Sequence, residues 1–169
     1  MNNSGNMMQQ TDKLDALATF TRLVGEATTD SDAFQAADRA AGQLIGHRLC
    51  TIMAFHADAM EVERCYSSNP EAYPAGGRKQ KRDTDWGRHV LQEGRHYIGY
   101  EAADIRRHFN DHELIDSLGL RSILNIPVRC HGKTIGTLNL LHEAGYYDES
   151  QVGLASIIAS GLAGTLLSR

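Results

Sequence analysis

The sequence predicts an α+β domain. A central, mostly antiparallel sheet of five or six strands should carry the terminal helices on one face and an irregular crossover on the other. Three observations predict this. Helical apolar spacing is strongest near the two ends of the chain. Strand-like runs come in adjacent pairs, Leu49–His56 with Glu61–Ser67 and the two halves of 122–142. Between those pairs lies a long stretch of turn residues broken by short helical pieces.

At 169 residues the chain can bury a core of its own. Residues 1–10 (MNNSGNMMQQ) read as a disordered polar tail, and 11–169 as one domain. Residues 11–27 are expected to be helical, with Thr11 as cap and Leu14, Leu17, Thr21 and Val24 on one stripe. Residues 32–46 form the next helix. Ser31 caps it, Phe34, Ala37, Ala41, Leu44 and Ile45 keep helical spacing, and Gly46 stops it. In the second strand of the first pair, Val62, Arg64 and Tyr66 alternate onto one face.

Residues 67–83 are the least regular, with Ser-Ser-Asn-Pro, Pro74-Ala75-Gly76-Gly77 and the run Arg78-Lys79-Gln80-Lys81-Arg82. That run is expected as a solvated loop, because Asp83 and Asp85 adjoin it. A short helix over 83–93 ends at Gly94, a brief strand follows over 96–98, and two short helices occupy 101–109 and 111–118. The hairpin over 122–142 turns at Cys130-His131-Gly132-Lys133. Pro127 lacks a ladder donor, and the small Gly136 should lie about opposite it. Asp148 caps the last helix, with Gln151 three residues on in a capping-box pattern.

A formal charge of −4, from 17 basic and 21 acidic residues, argues against a dedicated nucleic-acid binder. No apolar run reaches membrane-spanning length, and the N-terminus lacks a signal-peptide core, so no membrane partner and a cytoplasmic location are expected. Cys50, Cys65 and Cys130 are an odd count at long spacing with no CxxC pair, which indicates neither a disulfide framework nor a cysteine-based zinc site.

Several segments resemble, in order, those of a GAF domain. Residues 86–95 (WGRHVLQEGR) resemble its short helix closed by Gly, and 101–105 its acidic segment. Residues 120–128 and 132–140 resemble its closing hairpin, and Tyr147-Asp148-Glu149 the start of its last helix. The resemblance covers residues 31–168 and implies a GAF/PAS-like fold with a small-molecule pocket under the crossover and dimerisation through terminal helices. Bilin-binding members attach their chromophore through a Cys about ten residues before the hairpin. Asn110-Asp111 stand there, so covalent bilin is not expected. Free methionine-sulfoxide reductases of this fold use crossover cysteines, and 66–129 hold none. Asp148-Glu149 alone do not make the signature of cyclic-nucleotide-binding members.

The pocket candidates are Trp86, His89, His96, Tyr97, Tyr100, Phe109 and His112 from the crossover, apolar in body and polar at the tip. Asn125 and Asn139 interrupt the apolar hairpin strands. A turn centred on Gly132 sets them opposite each other on one face. A turn centred between His131 and Gly132 sets them on opposite faces. His108 and His112, four apart, would share a helical face suited to a metal, unless Asn110-Asp111 cap a new helix. Cys130 beside His131 is the one adjacent thiol–imidazole pair. On the last helix Ala155, Ala159 and Ala163 form one small-residue stripe and Ser156, Ser160 and Gly164 the next. They would admit either the first helix of the same chain or a second subunit, and a homodimer is expected.

Two functions remain open. One is a stand-alone sensor or regulatory module for a small organic ligand, signalling through a separate partner because no output domain is legible. The other is a small enzyme using the same cavity, with His89 or His112 as acid/base. The sensor reading leads, because the sequence shows no catalytic constellation.

Overall fold

The computed structural model describes residues 3–169; Met1 and Asn2 lie outside the described residues. The first helix, α1 (Asn3–Glu26), takes in residues expected as a tail. Met7, Met8, Gln9 and Gln10 are good helix formers and no Pro interrupts them, so the helix extends back to Asn3. Its buried line is Ala16 and Phe20, continued by half-buried Leu23 and Val24. Leu14, expected on that line, is 67% exposed and Thr21 is also exposed. Phe20 sets the face instead: it lies on Gly161, where a Cβ would come within 2.6 Å of the ring.

Helix α2 (Asp30–Leu44) is capped by Thr29, not Ser31. The Thr29 hydroxyl accepts from the Asp32 amide, and the Asp32 carboxylate accepts from the Thr29 amide at 3.0 Å. Thr29 has an acid three residues on; Ser31 has Phe34 there and cannot close such a box. Phe34, Ala37 and Ala41 are buried as spaced.

The sheet contains β1 (Leu49–His56), β2 (Glu61–Ser67), β3 (Arg78–Gln80), β4 (Tyr97–Gly99), β5 (Ser122–Cys130) and β6 (Lys133–His142). Its order is β3-β2-β1-β6-β5-β4, and every neighbouring pair is antiparallel. The basic run is therefore an edge strand rather than a free loop. β3 pairs with Glu61–Glu63, whose acids meet Arg78 at 3.9 and 3.4 Å. The crossover also carries a wide π-helical turn (Gly87–Gln92), α3 (Ala102–His108) and α4 (His112–Ser117). The Asp148–Gln151 capping box forms as expected and leads into α5 (Val152–Gly161), which breaks at Leu162 before α6 (Ala163–Leu167).

Two bulges re-aim the sheet. In β2, Ile52 pairs with Tyr66 but Met53 with Arg64, so Cys65 is an extra residue. Val62 and Arg64 keep the crossover face. Tyr66 is turned to the helix face, where it packs on Phe34 with ring centroids 6.2 Å apart. The single alternating face expected for Val62, Arg64 and Tyr66 is broken for this reason.

The second bulge lies in the hairpin. Its turn is centred between His131 and Gly132, both at positive φ, the primed geometry that suits a two-residue loop. That turn alone would separate Asn125 from Asn139. Arg129 pairs with Thr134 but Val128 with Gly136, so Ile135 is extra and the register shifts by one. Asn125 then faces Asn139 directly. Gly136 lies across from Val128, while Pro127 meets Thr137. The need for Gly136 comes from the other neighbour: a Cβ there would stand 2.3 Å from the Met53 carbonyl oxygen.

The main core lies between the sheet and the terminal helices. Cys50, Ile52, Leu124, Ile126, Leu138 and Leu140 meet Phe20, Phe34, Ala155, Ile158 and Leu162. Ala155 and Ala159 are thus buried within their own chain. The crossover face carries two smaller clusters, around Ile105, Ile115 and Ile123 and around Val62, Trp86 and Val90. No described helix is long and apolar enough to cross a membrane.

Candidate functional site

The crossover face of β1, β5 and β6 presents Thr51, Asn125, Thr137 and Asn139, all buried. Their hydrogen bonds run in one direction. The Trp86 indole N–H, a donor only, gives to Asn125 Oδ1 at 3.0 Å. Asn125 Nδ2 donates to Asn139 Oδ1 at 2.7 Å. Asn139 Nδ2 donates onward to Thr137 Oγ1 at 3.1 Å and Thr51 Oγ1 at 3.2 Å. Both asparagines therefore face the crossover, and each is held by protein partners.

Over this floor lies a lid of aromatic and basic groups. Phe109 packs edge-on to Trp86 with centroids 5.6 Å apart. The Lys81 ammonium sits 5.1 Å from the Trp86 ring and 5.3 Å from Phe109. Gly87 makes this approach possible, since a Cβ there would be 2.3 Å from the Lys81 carbonyl oxygen. Burial, and then the Lys79 charge, push the Lys81 amine below its ordinary value, against the pull of Asp111. No carboxylate of the described residues pairs directly with Lys81.

A second group lies beside it. Asp111 Oδ2 accepts a very short hydrogen bond from the Tyr73 hydroxyl and another from Lys79 at 2.8 Å. Burial would raise the Asp111 carboxyl; Lys79 and Tyr73 hold it below the usual carboxylate value. The Arg64 guanidinium stacks 3.7 Å from the Tyr73 ring centroid and donates to the Pro74 carbonyl at 2.7 Å. Its side chain is only 10% exposed, and its Nε is buried without a hydrogen-bond partner.

Between floor and lid remains a cavity of about 30 Å³, room for little more than water, lined by Thr51, Lys81, Trp86, Phe109, Asn125 and Asn139 among others. A neighbouring cavity of about 110 Å³, lined by Arg64, Gly76 and Gly77, shares Met53, Val62 and Lys79 with it.

The expected pocket residues thus divide among three places. Trp86, Phe109, Asn125 and Asn139 line the cavity under the crossover. His89, His96, Tyr97 and Tyr100 line a separate open cleft of about 650 Å³ beside β4, the end of β5 and Ser156 and Ser160 of α5. His112 lines a third hollow with Arg106 and Asp116. His89 Nε2 lies 2.8 Å from the His96 carbonyl and so carries the proton donated to it. His89 and His112 therefore do not serve one cavity.

The His108–His112 metal pair is not formed. α3 ends at His108, Phe109 is extended (φ −127°, ψ 119°) and α4 starts at His112. The break has a packing cause: Phe109 turns onto Trp86, while Asp111 is taken by Tyr73 and Lys79. His108 instead packs edge-on to Tyr97, 5.0 Å between centroids. Cys130 and His131 stand at the hairpin turn and line none of these cavities.

Sequence reasoning missed Arg64, Tyr73, Lys79, Lys81 and Asp111. One signal was present: Lys79 and Lys81 are two apart, the spacing that sends both side chains to one face of an extended segment.

The family model "GAF domain" matches residues 27–166, and the chain belongs to that family. No curated protein matches it. Among solved structures it is similar to the GAF domain of a phosphoenolpyruvate-protein phosphotransferase from Acinetobacter, at 16% identity and TM-score 0.75, with 92% of this chain and 93% of that chain covered. The corresponding domain from Coxiella burnetii gives 15% identity and TM-score 0.76, covering 94% of each. Free methionine-R-sulfoxide reductase from Neisseria meningitidis, in complex with its substrate, gives 15% and 0.71, covering 92% of this chain and 89% of that one. At such identities the likeness shows the fold.

Proposed function

We propose that this GAF domain is a regulatory sensor whose ligand is a small organic anion with a flat apolar body, received between the crossover and the sheet. One observation carries the reading: Lys81, without a carboxylate partner, is held over Trp86 and Phe109 at the mouth of a cavity whose floor is otherwise satisfied. Around that mouth Arg64, Lys79 and Lys81 outnumber the single acid Asp111, so the local field favours an anion. The cavity is nearly filled by the protein's own side chains. A ligand must displace the lid, and that displacement is the signal a sensor needs. The enzyme reading has no comparable observation: neither His89 nor His112, its alternative acid/base candidates, lines this cavity.

Calorimetry against a panel of aromatic carboxylates and phosphates tests this. A binder should lose about tenfold or more in affinity in Lys81→Met, the value of one charge-assisted contact, and lose little in Lys133→Met at the hairpin turn. Equal loss in both variants, or selection of cationic compounds, would overturn it.

Self-association through the terminal helices is the second part of the proposal. Leu14 of α1 and Ile157 of α5 are 67% and 50% exposed, the kind of apolar surface a partner helix covers. Light scattering at micromolar concentration should read twice the chain mass; a monomer would refute it.

A further inference from the structure

We propose that Asp38, His47 and Cys50 bind one divalent metal ion of the zinc type, on the helix side of the sheet and apart from the ligand cavity. Asp38 comes from α2, His47 from the loop after it and Cys50 from the start of β1. A carboxylate oxygen, an imidazole nitrogen and the thiol sulfur of these residues all lie within 4.8 Å of one another. Tetrahedral zinc, with bonds of ~2.0–2.3 Å, spaces its donors by about 3.3–3.8 Å, so side-chain adjustments alone would close the site.

The surroundings are those of a held ligand set. The loop carrying His47 is pinned twice: the Tyr146 hydroxyl donates to the Ile45 carbonyl at 2.9 Å, and the Tyr147 hydroxyl to the Gly46 carbonyl at 3.1 Å. The Tyr66 hydroxyl donates to Asp38 Oδ2 at 2.8 Å and fixes the carboxylate, as an outer-shell partner does. Asp38 Oδ1 is buried, and the carboxylate faces both the His47 imidazole and the Cys50 thiol. His47 Nε2 is 3.0 Å from Asp38 Oδ1 and 3.2 Å from the Asp38 carbonyl oxygen. His47 Nδ1 is buried and unpartnered.

A carboxylate oxygen, an imidazole nitrogen 3.0 Å from it and a buried thiol form a donor set that suits a divalent ion of the zinc type. A divalent ion with the Asp38 carboxylate and the Cys50 thiolate is electrically neutral. Binding replaces the thiol proton, which leaves to solvent. The side chains of His47 and Asp38 are 11% and 21% exposed, which gives the ion a path inward and a place for water as fourth ligand. The cluster contains no CxxC pair, which is why cysteine spacing passes over it.

The test uses the full chain freed of metal by a chelator and titrated with cobalt(II). One equivalent should bind and give a thiolate-to-cobalt charge-transfer band. The band should vanish in Cys50→Ser and persist in the Cys65→Ser/Cys130→Ser double variant. His47→Gln should weaken binding at least tenfold. No band with the folded wild type, or a band that survives Cys50→Ser, would overturn the proposal. Position 50 is wholly buried, so Cys50→Ser can fail to fold. X-ray absorption of the zinc-loaded wild type therefore decides without a variant. One sulfur with nitrogen and oxygen donors supports the site, and a sulfur-free shell refutes it.

Discussion

Gly136→Ala is expected to remove about 4 kcal/mol or more of stability, enough to unfold a domain of ordinary marginal stability. The added methyl carbon would stand 2.3 Å from the Met53 carbonyl oxygen and 2.7 Å from Leu166 Cδ1. Leu166 can shift, but Met53 is backbone in the central pair β1–β6, where Gly136 faces Ala54. Relief requires the two strands to part in the middle of the sheet. Gly132→Ala is the contrasting case. It carries positive φ (+78°), which Gly136 does not, but nothing lies within 4 Å of the added carbon, and about 1–2 kcal/mol of backbone strain is the whole expected cost. Urea unfolding of both variants checks the ranking. A Gly136→Ala protein as stable as Gly132→Ala would show that the sheet yields there.

Asn139→Leu is expected to cost about 3 kcal/mol. Asn139 accepts from Asn125 and donates to Thr51 and Thr137, all buried, so its loss leaves several polar atoms without partners at once. The paired change, Asn125→Leu with Asn139→Leu, removes donor and acceptor together. It should cost less than the sum of the two single changes, by roughly 1 kcal/mol or more. A double-mutant cycle by chemical denaturation measures this. Costs that add within about 0.5 kcal/mol would mean the two amides do not act as one network.

The hairpin shows how far sequence carries the fold. Pro127, the polar turn and the apolar runs place both strands, and the two asparagines stand out because polar residues interrupt apolar ones. Their mutual register depends on Ile135 bulging, and one extra residue in a strand leaves no mark in composition. Cys65 does the same in β2 and carries Tyr66 through to the other face, beside Asp38. The helix caps follow local chemistry. The Asp148–Gln151 box formed, and Thr29 displaced Ser31 because only Thr29 has an acid three residues on.

The crossover was harder for a different reason. Its aromatic and histidine side chains are alike in character, and what sorts them is the path of the chain over the sheet. Trp86 and Phe109 go over the asparagine floor and line the cavity there, while His89, His96 and Tyr100 go to an outer cleft. That path is set by contacts between segments far apart in sequence, such as Tyr73 with Asp111. Periodicity within a segment does not encode them.

The bond from Trp86 to Asn125 has a practical consequence. Trp86 is the chain's one tryptophan, buried in the cavity wall with its N–H tied and its ring shared by Phe109 and Lys81. Excited to the red of its six tyrosines, the domain therefore has a single emitter, placed where an occupant would have to touch it. Occupancy can be followed by the colour of its emission, without any label. A metal held by Asp38, His47 and Cys50 lies on the opposite face of the sheet, out of contact with this ring. One optical signal can thus tell the two sites apart.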